Sequence, residues 1–242
     1  MRKALYTVLL LCGVCCAASA QDVIPMLRIN KETVNIGIKA GFNSSLNYTD
    51  HIHIGDDRIK DLTHNFKVGY TTILFARFNL KRHHYIQPEL SYSITKGSLS
   101  ISNTMENKGM IEEDALIKSV IHSLDLPLFY GYKFIDSQPY GMSFFVGPKV
   151  SWFINSKSKM EYEGFYQKDI REKLNPINFS GVMGLGVNVS NIYFDFRYEV
   201  GINNISDYVV YDKEKTEEPY NKYDLRVHRR RNVISFAVGA IF

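Results

Sequence analysis

Cysteine is almost absent from this 242-residue chain, and the three present, Cys12, Cys15 and Cys16, all lie near its start. Everything after them is therefore without a disulfide framework, a thiol nucleophile or a thiolate metal site. Long apolar runs are missing as well. Past the N-terminus no stretch approaches the ~18 consecutive apolar residues of a membrane-spanning helix, which excludes one there. Charge of one sign is also lacking. The 29 Lys+Arg against 25 Asp+Glu leave a formal +4, spread along the chain rather than gathered in a stripe, so no nucleic-acid partner is expected. What is present points elsewhere. A hydrophobic share of 45% excludes a disordered chain, and 16 Tyr with 15 Phe favour β structure over a helical bundle. The length suits one large all-β domain or two small ones.

Residues 1–20, MRKALYTVLLLCGVCCAASA, carry Arg2 and Lys3, then an apolar stretch from Leu5 to Ala18, then Ala18-Ser19-Ala20 before Gln21. That order predicts a Sec-type signal peptide. The residues before the cysteines, Leu11, Val14 and Cys15, are not the small ones that a lipoprotein signal needs. Residues 21–32 are expected to form an N-terminal periplasmic segment and 33–242 the folded domain.

From residue 33 onward the main signal is alternation with period two. In IYFDFRYEVG (192–201) the even positions are Ile192, Phe194, Phe196, Tyr198 and Val200, and the odd ones include Asp195, Arg197 and Glu199. Similar runs occupy 33–42, 64–78, 83–97, 116–134, 140–154, 177–189 and 232–242, making eight strands. Each pairs a greasy face with one that is small, polar or glycine-bearing, the reverse of a soluble barrel. The connections at 79–83, 135–139 and 190–191 are short, whereas those at 43–63, 99–115, 155–176 and 202–230 are long and polar. This predicts an all-β fold, an eight-stranded antiparallel up-and-down transmembrane β-barrel in a bacterial outer membrane. Both termini and the short turns would be periplasmic and the long loops extracellular. The last strand ends in Phe242, the form read by the outer-membrane insertion machinery. Tyr85, Tyr92, Tyr130, Tyr132, Tyr140, Trp152 and Tyr198 are expected as interfacial or lipid-facing girdle residues.

The stretches IGIKAGFNSS (36–45), YIQPELSYSITKG (85–97), LDLPLFYGYKF (124–134) and FDFRYEVGINN (194–204) resemble the PorT-like outer membrane protein β-barrel family of Bacteroidota-type bacteria. The resemblance implies the barrel and its location. It also implies an association with protein secretion for the family's namesake, but it carries over no catalytic residue.

The inward positions collect Lys39, Lys67, Arg77, Lys133, Lys149 and Arg197 with Glu89, Asp125, Asp195 and Glu199. Charges so crowded are expected to pair into a lumen network that plugs the barrel, and carboxylates beside Arg and Lys should stay ionised, which disfavours acid–base catalysis. A charged interior also disfavours a soluble lipocalin-like carrier. His51 and His53, with Asp56 or His64, could chelate Zn²⁺ or Cu²⁺, but a solvated loop tip is the simpler account, and no metal or cofactor is expected. Arg229, Arg230 and Arg231 stand where the last strand enters the membrane and could pair with lipopolysaccharide phosphates. The expected function is a non-enzymatic envelope, secretion-associated or surface-interaction protein, with a narrow porin-like channel as the alternative.

Overall fold

The computed structural model describes residues 33–242 apart from 55–56, 59–61, 103–110, 113, 138, 156, 219 and 223–224, so the expected signal peptide and N-terminal segment lie outside the described residues. Eight strands form the staves: β1 (Val34–Ile54), β2 (Val68–Asn79), β3 (His84–Ile101), β4 (Ala115–Ser137), β5 (Tyr140–Phe153), β6 (Ile177–Val189), β7 (Ile192–Gly201) and β8 (Leu225–Ile241). Each pairs antiparallel with its sequence neighbours, and β1 pairs with β8, running from Gly37 opposite Ile241 to Ile54 opposite Leu225. That last ladder closes the ring, so no stave is left with unpaired backbone along its edge, a requirement for any sheet in hydrocarbon.

The alternation decides which face points where. Ile36, Phe42, Leu74, Leu126, Trp152 and Phe179 stand outward and exposed, Trp152 at 64%. Ser91, Ser93, Ser123, Ser151, Asn178 and Ser180 turn inward and are buried. A sheet built this way cannot dissolve in water, but it matches a bilayer.

The interior is not uniformly small. Phe75, Tyr85, Phe129, Phe145 and Tyr193 also point inward and are buried, so Tyr85, expected in the girdle, belongs to the core at 0% exposure. Its parity along β3 with Glu89 dictates this. Room for the rings comes from glycines across the ladder. Tyr85 lies opposite Gly131, where an added Cβ would sit 2.1 Å from the ring, and Phe75 lies opposite Gly37, where it would sit 2.3 Å away. The bare backbone lets each ring lie flat over its partner strand.

The long connections differ from the expected polar loops, because much of their length is strand. β1 and β8 stay paired well past the barrel body, and residues 62–66 pair with β3. Residues 159–163 add to β4, and 168–174 pair with 206–212. Apolar residues within the "polar" stretches explain this. Ile111, Phe165, Leu174 and Ile205 are buried and pack with Leu99, Ile117, Ile121 and Phe153 of the staves in two clusters. The long-connection end thus carries a folded cap with its own core.

Candidate functional site

Two layers of charge cross the lumen. In the first, Lys39 of β1, Glu89 of β3, and Asp195 and Arg197 of β7 converge. Lys39 Nζ lies 2.8 Å from Glu89 Oε1 and 2.6 Å from Asp195 Oδ2. Arg197 donates Nη1 and Nη2 to Glu89 at 2.7 and 2.9 Å, and Nε and Nη2 to Asp195 at 3.0 and 2.6 Å. Rings flank the cations: Lys39 lies over Phe75 at 4.5 Å, and Arg197 over Phe129 at 5.1 Å. Two cations and two carboxylates, all buried, satisfy one another, as charges removed from water must.

The second layer lies toward the cap. Lys149 of β5 donates to Glu199 of β7 at 2.5 Å and faces Asp125 of β4 at 3.6 Å. Arg231 of β8 meets Glu199 at 3.3 Å, and Ser180 donates to the same carboxylate at 2.8 Å. This is again two cations with two anions. Between the layers lies a gap of only 40 Å³, bordered by Asp125, Lys149, Arg197, Glu199 and Arg231.

The remaining inward candidates are placed differently. Arg77 is buried below the first layer, donating Nε to Gln87 at 2.7 Å. Lys133 is half-buried on the wall of a cavity at the short-turn end, close to a register shift in the β4–β5 ladder. Lys67 is exposed and joins no network. The strand is interrupted there, between residues 62–66 and β2, and residues 62–66 pair with β3 beyond the β1–β2 ladder, so Lys67 stands outside the lumen. The side chains of His51, His53 and His64, and Asp56 as a whole, lie outside the described residues. Among the described residues no three His, Asp or Glu side chains group as a metal site.

Residues 20–207 match the outer membrane protein β-barrel domain family. The chain belongs to that family. Among solved structures, OprG of Pseudomonas aeruginosa is similar in fold at 9% identity, with a TM-score of 0.54 over 87% of this chain and 97% of OprG. The attachment invasion locus protein Ail of Yersinia pestis, solved with a heparin analogue, matches with a TM-score of 0.38 and 9% identity over 87% of this chain and 100% of Ail. The N-terminal barrel domain of Pseudomonas aeruginosa OprF gives 0.36 and 10% identity, covering 86% and 97%. No curated protein matches the chain. Family and fold together identify an outer-membrane β-barrel protein, placed in the bacterial outer membrane.

Several residues of this outer-membrane barrel's interior escape a count of charged inward positions. Arg231 and Arg229 do not face lipopolysaccharide. Both are buried, Arg231 on Glu199 and Arg229 on Glu172 at 3.1 Å, and only Arg230 is exposed. The inward phase of Ser235, Ala237 and Gly239, continued backward along β8, would have placed both inside. Arg229 also approaches the Tyr162 hydroxyl, which donates to Glu172. Burial within the cap pushes the Tyr162 hydroxyl well above its usual range, with the adjacent Glu172 carboxylate adding to the effect and Arg229 opposing it. Gln87 links Arg77 to the first layer: it accepts from Arg77 and donates to Glu89 at 2.6 Å. No charge marks it in the sequence.

Proposed function

We propose that this is a non-conducting, non-enzymatic outer-membrane barrel whose capped end is a contact surface for another envelope or extracellular molecule, with the short-turn end in the periplasm. The observation that carries the reading is the pair of buried charge layers. Eight charged groups hold one another inside the barrel with a gap of 40 Å³ between the layers, which supports a closed lumen and function at the ends. The carboxylates of both layers all face cations, which supports a structural rather than a catalytic role. At the cap, packed strands 168–174 and 206–212 present Tyr208 and Val210, both about half exposed, and the rings of Tyr166 and Tyr220 stack at 3.8 Å. Rigid aromatic surface of this kind is well suited to binding. The PorT-like resemblance supports a secretion or envelope-assembly partner.

Single-channel recording of the refolded protein in a planar bilayer tests this. The expected trace has no steps, and steady ohmic openings in the wild type would overturn the reading. Co-purification from native membranes, with wild type compared against a Tyr208→Ala, Val210→Ala variant, then tests the cap: a partner retained equally by both would remove it from that surface.

The second reading is a narrow ion path. It is favoured by the small polar side chains around the gap, Asn43, Thr71, Ser91, Ser93 and Thr95. Openings that appear in Arg197→Ala and grow on adding Glu89→Ala would mean that the inward charges form a gate.

A further inference from the structure

The two charge layers are each neutral, which isolates Arg77. It is buried at 2% exposure, and no carboxylate pairs with it among the described residues. Its Nε is held by the Gln87 carboxamide, Nη1 reaches Asn188 Oδ1 only at 3.5 Å, and Nη2 has no hydrogen-bond partner. The rings of Tyr85 and Tyr193 lie over the guanidinium at 4.5 Å each. Ring faces and carboxamides temper a buried cation, but they do not neutralise it.

Arg77 also borders open space. It lines the 820 Å³ cavity at the short-turn end, together with Lys133, Lys81 and Arg82. Opposing these four cations is the side chain of Asp136, which faces His83 at 3.6 Å. The turn between β2 and β3 brings Arg82 and His83 there at a conformational cost. Both have left-handed backbones, φ 60° and 68°, in a tight hairpin closed by Leu80 N donating to His84 O at 2.8 Å. Asn–Gly fits such a turn without strain. Walls of low polarisability concentrate the field of cations inside a cleft.

We propose that this cavity is a binding site for a small organic anion bearing a carboxylate or phosphate, which completes the unpaired charge of Arg77 while Lys133 and the turn cations contact it from the rim. The site lies at the opposite end from the cap and does not depend on the cap's binding role.

The test is isothermal titration calorimetry of the full protein in uncharged detergent micelles, which keep lipid phosphate out of the cell. Citrate and inorganic phosphate are the probes and glycerol is the neutral control. Both anions are expected to bind and glycerol to give no signal. Arg77→Gln should weaken binding at least tenfold, and Lys133→Gln about threefold or more. Absence of binding in the wild type would overturn the proposal. So would unchanged affinity in Arg77→Gln, or weak heats in every variant that vanish at about 150 mM salt, the mark of general screening. Should Arg77→Gln fail to show the heat-shifted migration of a folded barrel, Arg77→Lys, which keeps the charge, and Lys133→Gln decide. Retained binding in the first with loss in the second supports the site, and equal affinity in Lys133→Gln and wild type overturns it.

Discussion

Arg197 and Glu89, 108 positions apart in the chain, face each other across the lumen through two parallel hydrogen bonds of 2.7 and 2.9 Å. The fork geometry fixes the separation of β3 and β7, which share no ladder, so the pair acts as a crossbar. Removing one side leaves the other charge buried. Arg197→Ala is therefore expected to destabilise the barrel by about 3–5 kcal/mol, whereas Arg197→Met combined with Glu89→Gln, which leaves Lys39 paired with Asp195 at 2.6 Å, should recover most of that loss. Urea unfolding in micelles, followed by heat-shifted migration, measures both.

Arg230 and Arg231 are adjacent in sequence but face opposite sides. Arg231→Ala uncovers Glu199 inside the second layer and is expected to cost about 3 kcal/mol or more. Arg230→Ala, on the exposed face, should cost about 1 kcal/mol or less. The same unfolding assay separates them, and equal effects would place Arg231 outside the lumen.

Gly131 leaves the space that Tyr85 fills. Gly131→Ala puts a Cβ 2.1 Å from that ring and is expected to cost about 1–3 kcal/mol. In a Tyr85→Ser background the same Gly131→Ala change should cost little, so an equal penalty in both backgrounds would contradict the packing.

The Tyr162 hydroxyl gives the cap a pH limit. Its folded-state pKa is raised by burial, so the folded cap keeps the proton at a pH where the opened cap, with an ordinary tyrosine value of about 10, gives it up. The stability contributed by the proton is present in full below pH ~10 and is lost as pH rises beyond it. Hydrogen exchange over 159–174 is expected to accelerate above that pH in the wild type, and by a smaller factor in Tyr162→Phe, which has no proton to lose there.

Much of this was legible in the sequence, because alternation with period two is a strong signal when one face must meet lipid. The outward set from Ile36 to Phe236 and the positions of Lys39, Glu89, Asp195 and Arg197 follow directly. The misplacements have a common physical origin. Parity holds only within an unbroken stave, so Lys67, at a strand interruption beyond the β1–β2 ladder, does not obey it. A ring is at home on either face, so parity alone does not separate Tyr85 in the core from Tyr85 in the girdle. Arg229 and Arg231 hold the inward phase of β8, but a third arginine beside them gives the stretch the look of a surface cluster. The cap was hidden because the apolar residues that hold it, Ile111, Phe165, Leu174 and Ile205, are scattered singly through polar stretches and meet only in three dimensions. Nothing local in a sequence says that a buried Arg77 lacks an anion, since that is a property of the closed ring.

The first charge layer draws its members from β1, β3 and β7, and the second from β4, β5, β7 and β8. An open sheet cannot complete the first layer, since Lys39 of β1 meets Asp195 of β7 only after β1 has found β8. Were that seam displaced by a single residue, facing would invert along one strand and Lys39 or Arg231 would turn toward hydrocarbon. The ion pairs therefore function as a lock with distributed pins: it engages only when every stave has arrived in register, and a misassembled barrel remains unlatched and open to disposal.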